Sequence, residues 1–530
     1  MGPFLQTALS GLLVAASLPP WDLRFLVWVA LIPWLSAVVR ARSTGKALAL
    51  GFLLSLALGL LIAHWVAHAA HEFLQLSWST SSLVLLLFAA VFAQPHLVLT
   101  APLVRFTRRR LSERPGGTES LLFAAAAALL YAGLDATVPR FFDAGIGYAL
   151  HGAPVLRQAA DLGGVPLLTF LIVFVNVLGW RIWVALKDTQ HRRVIVSSHL
   201  AVIALTLGAT YLYGTARDRA VDEAVAGAER SLSVAVAQGN VPNEVRLRWA
   251  KGDERAAEQQ LSTYMLLTEE LMGQTPLPDL VVWPEATFPG VFLQPLSTLQ
   301  RGRANKFDRQ VLRLGRPIVF GAYDMEGEDD DRTFYNALFA ITPRYDQPGA
   351  QGSVQRYHKH VLLPFAESFF SAGPGSGLFE VGMPDGERVG LSPFICSESL
   401  SSSHVLRGAR RGGEVLLNVG SDGWFGAWGE PQFHLAVSQL RSVETRRSQI
   451  RAANTGISAI ILPDGEIMVR TELGAETLFR AEVPVVAEMD SLVMRWGSWF
   501  GWAALASGIL LSLGIGLRPS RPWAESSRGG

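Results

Sequence analysis

The chain has one cysteine, Cys396, in 530 residues, which excludes an internal disulfide framework and any multi-cysteine zinc or iron–sulfur site. It is also short of charge: 17% of its residues are Asp, Glu, Lys or Arg, against about 25% in ordinary soluble domains. That charge nearly cancels, 46 Lys and Arg against 45 Asp and Glu. The global basic field with which nucleic-acid binders neutralise phosphate is therefore missing, and nucleic acid is not an expected partner. The sequence shows no internal repeat and no low-complexity tract. Half of the residues are apolar and the mean hydropathy is +0.27, a balance incompatible with intrinsic disorder. Since hydrophobic cores stop growing near about 250–300 residues, a chain this long and this apolar is expected to have two regions in two solvents.

Apolar runs long enough to cross a hydrocarbon core of about 30 Å lie near residues 4–19, 24–40, 47–68, 82–104, 119–136, 164–186 and 194–213, with an eighth at 497–517. The first lacks a basic leader and runs into Pro19, Pro20 and a second apolar stretch, so it reads as a retained helix, not a cleaved signal. Basic residues collect in alternate connections: Arg40, Arg42 and Lys46; Arg105, Arg108, Arg109, Arg110 and Arg114; Arg181, Lys187, Arg192 and Arg193; and Arg518, Arg521 and Arg528 in the tail. The intervening connections hold only Arg24, Arg140 and Arg157. By the positive-inside bias this pattern predicts eight spans, both termini cytoplasmic, and an extracytoplasmic segment between spans seven and eight. The expected organisation is a seven-helix membrane domain over 1–214, a second domain over 215–496, and a last helix with a cytoplasmic tail over 497–530.

Segment 215–496 reads as alternating strands and helices. Apolar, β-rich runs occur at Ser231 to Ala237, Leu280 to Trp283, Pro317 to Gly321, Tyr335 to Ile341, Arg388 to Cys396, Val415 to Val419, Gln449 to Ala453 and Ile457 to Leu462. Between them, Glu254 to Met272, Thr298 to Leu314 and Pro431 to Thr445 carry apolar residues at helical spacing. Alternation of this kind predicts a layered α/β domain, and the acidic run Glu326 to Asp331 reads as a solvated loop.

Three polar residues fall just beyond hydrophobic strands: Glu285 in Val-Val-Trp-Pro-Glu-Ala, Lys359 in Tyr-His-Lys-His, and Cys396 in Ser-Pro-Phe-Ile-Cys-Ser-Glu. A free thiol is only a few per cent ionised at neutral pH. A carboxylate that takes its proton, and a cation that favours the anion, make it an effective nucleophile. The same cation, with a main-chain N–H, can stabilise a tetrahedral oxyanion. Taken singly, each residue has a plainer reading: a buried small hydrophobe, a helix cap and a surface lysine. His64, His68 and His71 stand at helical spacing and could form a metal face, but their place near a span end suits interfacial histidines better, and no metal is expected.

Glu285, Lys359 and Cys396, in this order and with these neighbours, resemble the Glu-Lys-Cys triad of the nitrilase superfamily. Joined to eight membrane spans, they resemble the apolipoprotein N-acyltransferase family, inner-membrane enzymes that complete bacterial lipoprotein maturation. Further motifs match in order: Gln238-Gly239-Asn240-Val241-Pro242, Leu363-Pro364-Phe365-Ala366-Glu367, Asn418 with Asp422 to Gly426, and Arg451 to Ser458. The resemblance implies an αββα sandwich with Glu285 as general base, Lys359 as oxyanion stabiliser and Cys396 as acyl carrier. It also implies a phospholipid acyl donor, a diacylated apolipoprotein acceptor, a ping-pong reaction through a thioester and no cofactor. The location it implies is the bacterial inner membrane, with the catalytic domain periplasmic. Asn418, Trp424 and Asn454 become supporting residues by the same comparison. Glu367 resembles a second essential glutamate of the family and Glu398 occupies its Cys-x-Glu position, or else each pairs with a basic neighbour; Trp249 matches a lid tryptophan or packs in the core. The sequence departs from the pattern at Ser397, where an aromatic is usual, at Ala366 for glycine, and at Gly420-Ser421 for Ser-Asn. Two other readings stay open on the residues: a membrane-tethered amidase or nitrilase, and a catalytically silent lipid-binding relative.

Overall fold

The computed structural model describes the chain apart from residues 93, 112–116, 188–191, 329–330, 345–351, 365, 384–385, 487–488 and 518–530. Apolar helical segments occupy all eight expected stretches. Five are long and apolar enough to cross a membrane (Thr44–Ile62, Trp78–Arg110, Ser120–Thr137, Ala160–Ala185 and Arg192–Ala226), and three are shorter (Pro3–Ser17, Arg24–Val39 and Trp499–Gly514). Arg105 donates to the carbonyls of Ala41 and Arg42, and Arg181 to Ser120 Oγ, so these basic connections contact neighbouring helix ends. Arg114, Arg518, Arg521 and Arg528 lie outside the described residues.

The helix ends differ from the expected ones for local reasons. The third stretch stops at Ile62, and His64 precedes a separate helix, Trp65–Leu74, so residues 64–68 are not part of that span. The fourth is broken into Trp78–Val91 and His96–Leu111. Pro95 lacks an N–H and disfavours a helical Gln94; Ser55 Oγ accepts the freed Gln94 N–H at 3.2 Å. The second is a 3₁₀ turn, Arg24–Trp28, followed by Ile32–Val39. The seventh has 35 residues, about 52 Å at 1.5 Å per residue, well beyond a hydrocarbon core. It runs through the expected 214/215 boundary to Ala226.

Beyond it the chain builds two six-stranded sheets from twelve strands: β1 (Ser231–Gln238), β2 (Leu280–Val282), β3 (Ile318–Glu326), β4 (Thr333–Thr342), β5 (Ser353–His358), β6 (Phe379–Gly382), β7 (Arg388–Ile395), β8 (Val415–Gly420), β9 (Gln449–Ala453), β10 (Ala459–Ile461), β11 (Ile467–Arg470) and β12 (Thr477–Pro484). Their orders are β12-β1-β2-β3-β4-β5 and β11-β10-β9-β8-β7-β6. The eight runs expected from sequence are the eight interior strands; the four edge strands β5, β6, β11 and β12 were not expected. The acidic run at 326–331 joins β3 to β4, with residues 329–330 outside the described ones.

One apolar core joins the sheets face to face, with Val234, Val282, Val319 and Leu338 of the first against Leu391, Leu417, Val419 and Ile450 of the second. Helices Glu254–Glu269 and Thr298–Leu314 cover the outer face of the first sheet, and Ser402–Arg410 that of the second, completing an αββα sandwich. The second sheet also carries helix Glu430–Thr445, whose Phe433, Val437, Leu440 and Val443 belong to the core of the membrane bundle. Buried ion pairs secure this seam: Arg446 Nη2 lies 2.6 Å from Asp161 and Arg157 Nη2 3.2 Å from Asp464. The sheet that carries Cys396 is thus packed onto the bundle through a shared helix.

Candidate active site

Glu285 leaves the end of β2, after Trp283, which is fully buried and donates its Nε1–H to Thr268. Gly321 of β3 passes close behind it: a Cβ there would stand 2.3 Å from the Ala286 nitrogen, so only glycine fits. Glu285 Oε1 accepts from Asn336 Nδ2 at 2.7 Å. Lys359 follows β5, its main-chain N–H donating to the Asn336 carbonyl at 2.8 Å. Its Nζ donates to Glu367 Oε1 at 2.8 Å, and Asn336 Nδ2 also reaches that oxygen, at 3.3 Å. One asparagine in the middle of β4 therefore spans both carboxylates.

Cys396 follows β7 with φ +50°, a left-handed conformation that costs a non-glycine residue about 1–3 kcal/mol and persists only where its surroundings enforce it. Several groups enforce it here. Glu398 Oε2 accepts from the Ile395 N–H at 2.7 Å and the Tyr357 hydroxyl at 2.6 Å. Its Oε1 accepts from the His360 and Val361 N–H groups at 2.8 and 2.9 Å. This fully buried carboxylate clips the lysine loop to the cysteine turn. On the other side His434 Nε2 lies 3.0 Å from the Cys396 carbonyl and His434 Nδ1 3.0 Å from Asp422 Oδ1. Arg451 holds the second Asp422 oxygen at 2.8 Å and also bonds Asn418 Oδ1.

The three residues expected to do the chemistry are brought together, each within the electrostatic field of the other two. Burial opposes the ammonium of Lys359, but Glu367 and Glu285 outweigh it and hold its pKa above the ordinary lysine value. Burial, then Glu285, pushes the Cys396 thiol well above its ordinary range, and Lys359 offsets this only in part. Cys396 therefore rests as a neutral thiol in the field of the Glu285 carboxyl. Burial would raise the Asp422 carboxyl, yet Arg451 and His434 hold it below its usual value.

The remaining expected residues separate. Glu367 pairs with Lys359 itself, whereas Glu398 is taken up mainly by main-chain N–H groups. Asn454 accepts from the Val241 N–H and the Tyr264 hydroxyl, tying the strand-end motif after β1 to that after β9. Trp249 is half-buried, donates to Gln260 at 2.8 Å and lies 5.6 Å from the Tyr323 ring. Trp424, also half-buried, meets Phe73 of the bundle edge-on at 4.9 Å and Arg246 at 5.3 Å. Ser397 is buried, and its Oγ has no partner among the described residues. Asn336 and His434 were not expected; the one signal for either is a polar side chain inside a run patterned for burial.

His64 and His71 spend ring nitrogens on main-chain carbonyls, of Leu61 and Trp428 and of Leu76, and so do not form a metal face. Asp422, Glu430 and His434 do cluster, but Arg451 already supplies the positive charge there, and burial with Asp422 pushes the Glu430 carboxyl well above its usual pKa.

Residues 10–178 match the family model of the apolipoprotein N-acyltransferase N-terminal domain, and residues 233–489 that of carbon-nitrogen hydrolases. An apolipoprotein N-acyltransferase of Bdellovibrio bacteriovorus is 30% identical over 534 residues, covering 96% of this chain and 92% of the relative. One from Geobacter metallireducens is 29% identical over 523 residues, covering 96% and 94%. Among solved structures, Nit3 of Saccharomyces cerevisiae, a member of branch 10 of the nitrilase superfamily, is 19% identical with a TM-score of 0.35, covering 49% of this chain and 93% of its own. With both domain models in one polypeptide and relatives matched along nearly their whole length, the chain belongs to the apolipoprotein N-acyltransferase family.

Proposed function

We propose that this chain transfers an acyl group from a phospholipid to the α-amine of a diacylglyceryl-cysteine lipoprotein by a ping-pong reaction through Cys396. The observation that carries this reading is the strained Cys396 turn, held in the field of Glu285 and Lys359 on a sandwich packed against apolar helices. Glu285 takes the thiol proton as Sγ attacks the ester carbonyl, since the raised thiol pKa leaves little thiolate beforehand. Lys359, fixed by Glu367, stabilises the oxyanion. Collapse breaks the ester bond, the proton on Glu285 passes to the departing alkoxide, and lysophospholipid leaves. In the second half, Glu285 takes a proton from the acceptor ammonium and releases it to water, the amine attacks the thioester, and Glu285 takes the second proton from the nitrogen of the tetrahedral intermediate and hands it to the departing thiolate. The product is an N-acylated, triacylated lipoprotein; atoms and charge balance without a cofactor.

In this reading Glu398, Asn418 and Asn454 hold the strand ends in register, while the half-buried Trp249 and Trp424 offer apolar surface to acyl chains. The apolar helices raise the local concentration of lipid-borne substrates. The sandwich lies on the periplasmic face of the bacterial inner membrane, with both termini in the cytoplasm. Intact-mass analysis of a lipoprotein N-terminus, in cells with and without this protein, tests the proposal. One added acyl chain that depends on Cys396 is the expected result. Hydrolysis of a small amide without N-acylation, or no change at all, would overturn it.

A further inference from the structure

A row of aromatic rings runs past the acyl-transfer residues. It begins on the membrane bundle, where Phe73 of helix Trp65–Leu74 meets Trp424 at 4.9 Å. Arg246 lies 5.3 Å from the Trp424 ring and bonds the Tyr323 side chain. Tyr323 of β3 stands opposite Asn336 of β4, the residue that spans Glu285 and Glu367, and its hydroxyl is in the field of both carboxylates. From there the rings pass outward: Tyr323 to Phe370 at 5.0 Å, Phe370 to Phe369 at 5.4 Å and Phe369 to Phe334 at 5.1 Å. Phe334 precedes Asn336 by two on β4 and so shares its face of the sheet.

Folding does not account for the outer end of this row. Phe369 is 69% exposed, and Tyr323, Phe334 and Phe370 are half-buried. On the other face of the same sheet, Phe320 and Phe339 are fully buried in the core beneath the outer helices. A single exposed apolar residue is ordinary, but rings in mutual contact that open to solvent beside a reactive centre mark a contact surface. The loop that bears them also secures the lysine. Phe370 donates its N–H to the Glu367 carbonyl at 3.0 Å, Glu367 Oε1 accepts from Lys359 Nζ at 2.8 Å, and the Ser371 N–H returns to the Phe334 carbonyl at 2.9 Å. A ligand lying along Phe369 and Phe370 therefore has its inner end at the acyl-transfer residues. Rings set against rings offer dispersion contact and no charge, which suits hydrocarbon better than a head group or a peptide.

We propose that Phe369 and Phe370 are specificity-determining residues that hold the hydrocarbon chain of the acyl donor, with the carbonyl end of that chain at Cys396. The proposal rests on the acyl transfer proposed above and names the surface that reads chain length. Of the two lipid-borne substrates, the donor is the one that leaves its chain on Cys396, so its hydrocarbon lies beside the reacting groups in both halves of the reaction. The acceptor brings an amine there. A long chain reaches the exposed Phe369 ring, whereas a short one ends before it.

The test compares the full chain in detergent with its Phe369→Ser and Phe369→Trp variants. Acyl-enzyme formation is followed by intact mass with dipalmitoyl- and dihexanoyl-phosphatidylethanolamine as donors. Phe369→Ser should reduce the long-chain preference, the ratio of the two kcat/KM values, about tenfold, chiefly by raising KM for the long chain. Phe369→Trp should restore the preference. A second measurement does not depend on turnover: Cys396→Ala protein is irradiated with phosphatidylethanolamine bearing a diazirine at the end of its chain, and the labelled peptides are mapped. Label should fall on the loop that carries Phe369 and Phe370 and drop severalfold when Phe369→Ser is added. An unchanged chain-length ratio, or label confined to the bundle helices, would overturn the proposal. So would labelling of the loop by a diacylated lipopeptide carrying the same diazirine and not by the phospholipid, which would assign the rings to the acceptor. Label on the loop with no acylation of Cys396 by any donor would instead remove the acyl transfer and leave the hydrocarbon contact standing.

Discussion

Glu285 and Lys359 leave the ends of β2 and β5 in one sheet; Cys396 leaves β7 in the other, and the two sheets hold their residues by different means. In the first, side chains restrain side chains: Asn336 spans Glu285 and Glu367, and Glu367 fixes Lys359. In the second, the support converges on main chain: Glu398 grips the Ile395 N–H and His434 meets the Cys396 carbonyl. One sheet therefore sets charge and the other sets shape. Substitutions in the first should alter electrostatics with the fold intact, while those in the second should disturb the turn itself.

The comparison breaks most visibly at the thiol. Cys396→Ala should leave no protein-bound label after incubation with acyl-labelled phospholipid, a complete loss read by autoradiography; label retained on that variant would remove the thioester from the mechanism. Next, Glu285→Gln should slow acyl-enzyme formation by about 10²–10⁴-fold without lowering the melting temperature. The same substitution removes a negative charge that raises the thiol pKa, so alkylation of Cys396 by iodoacetamide should become faster at any given pH. In the parent protein that alkylation should still be climbing above pH 9, since the raised pKa places the thiolate beyond the usual range. Opposite signs for acylation and alkylation distinguish a base from a mere charge.

On the second sheet, Arg451→Met strands the buried Asp422 and should cost about 3–5 kcal/mol of stability, measured by thermal unfolding in detergent. Because the Asp422 pKa is depressed, its contribution is present above the unfolded carboxyl value of about 3.8. It fades as pH falls through the lower folded value, so parent and variant should converge in acid. The smallest expected effect is that of Asn336→Ala, about ten- to a hundredfold in acyl-enzyme formation, from loss of hydrogen bonds to charged groups. An equally large loss of thermal stability in that variant would erase the distinction between the sheets.

How far the sequence is legible follows the same physics. The eight apolar stretches are visible because a long apolar run is a matter of composition alone, but their ends are not: the stop at Ile62 and the break at Pro95 depend on where Ser55 and the neighbouring helices lie. Interior strands, buried on both faces, stand out as apolar runs. Of the edge strands, β6 and β11 are only four residues long, while β5 and β12 mix polar and charged with apolar residues, as protected edges do, so all four merge with loop sequence. The residues beyond strand ends are legible from their order and local motifs. Asn336 and His434 are not, since each lies inside an element whose pattern speaks only of burial and their partners are distant in sequence.

The pairing of β1 with β12, from Ser231 opposite Pro484 to Gln238 opposite Thr477, has a consequence for biosynthesis. β1 emerges from the ribosome first among the strands and its outer neighbour last, so one flank of the first sheet stays uncovered while almost all of the sandwich is translated. An uncovered flank is a template for foreign pairing, and contacts of such long sequence separation form slowly. Completion of the sheet thus coincides with delivery of the final apolar helix. A chain terminated before Thr477 would display an open edge, marking the incomplete enzyme for proteolysis.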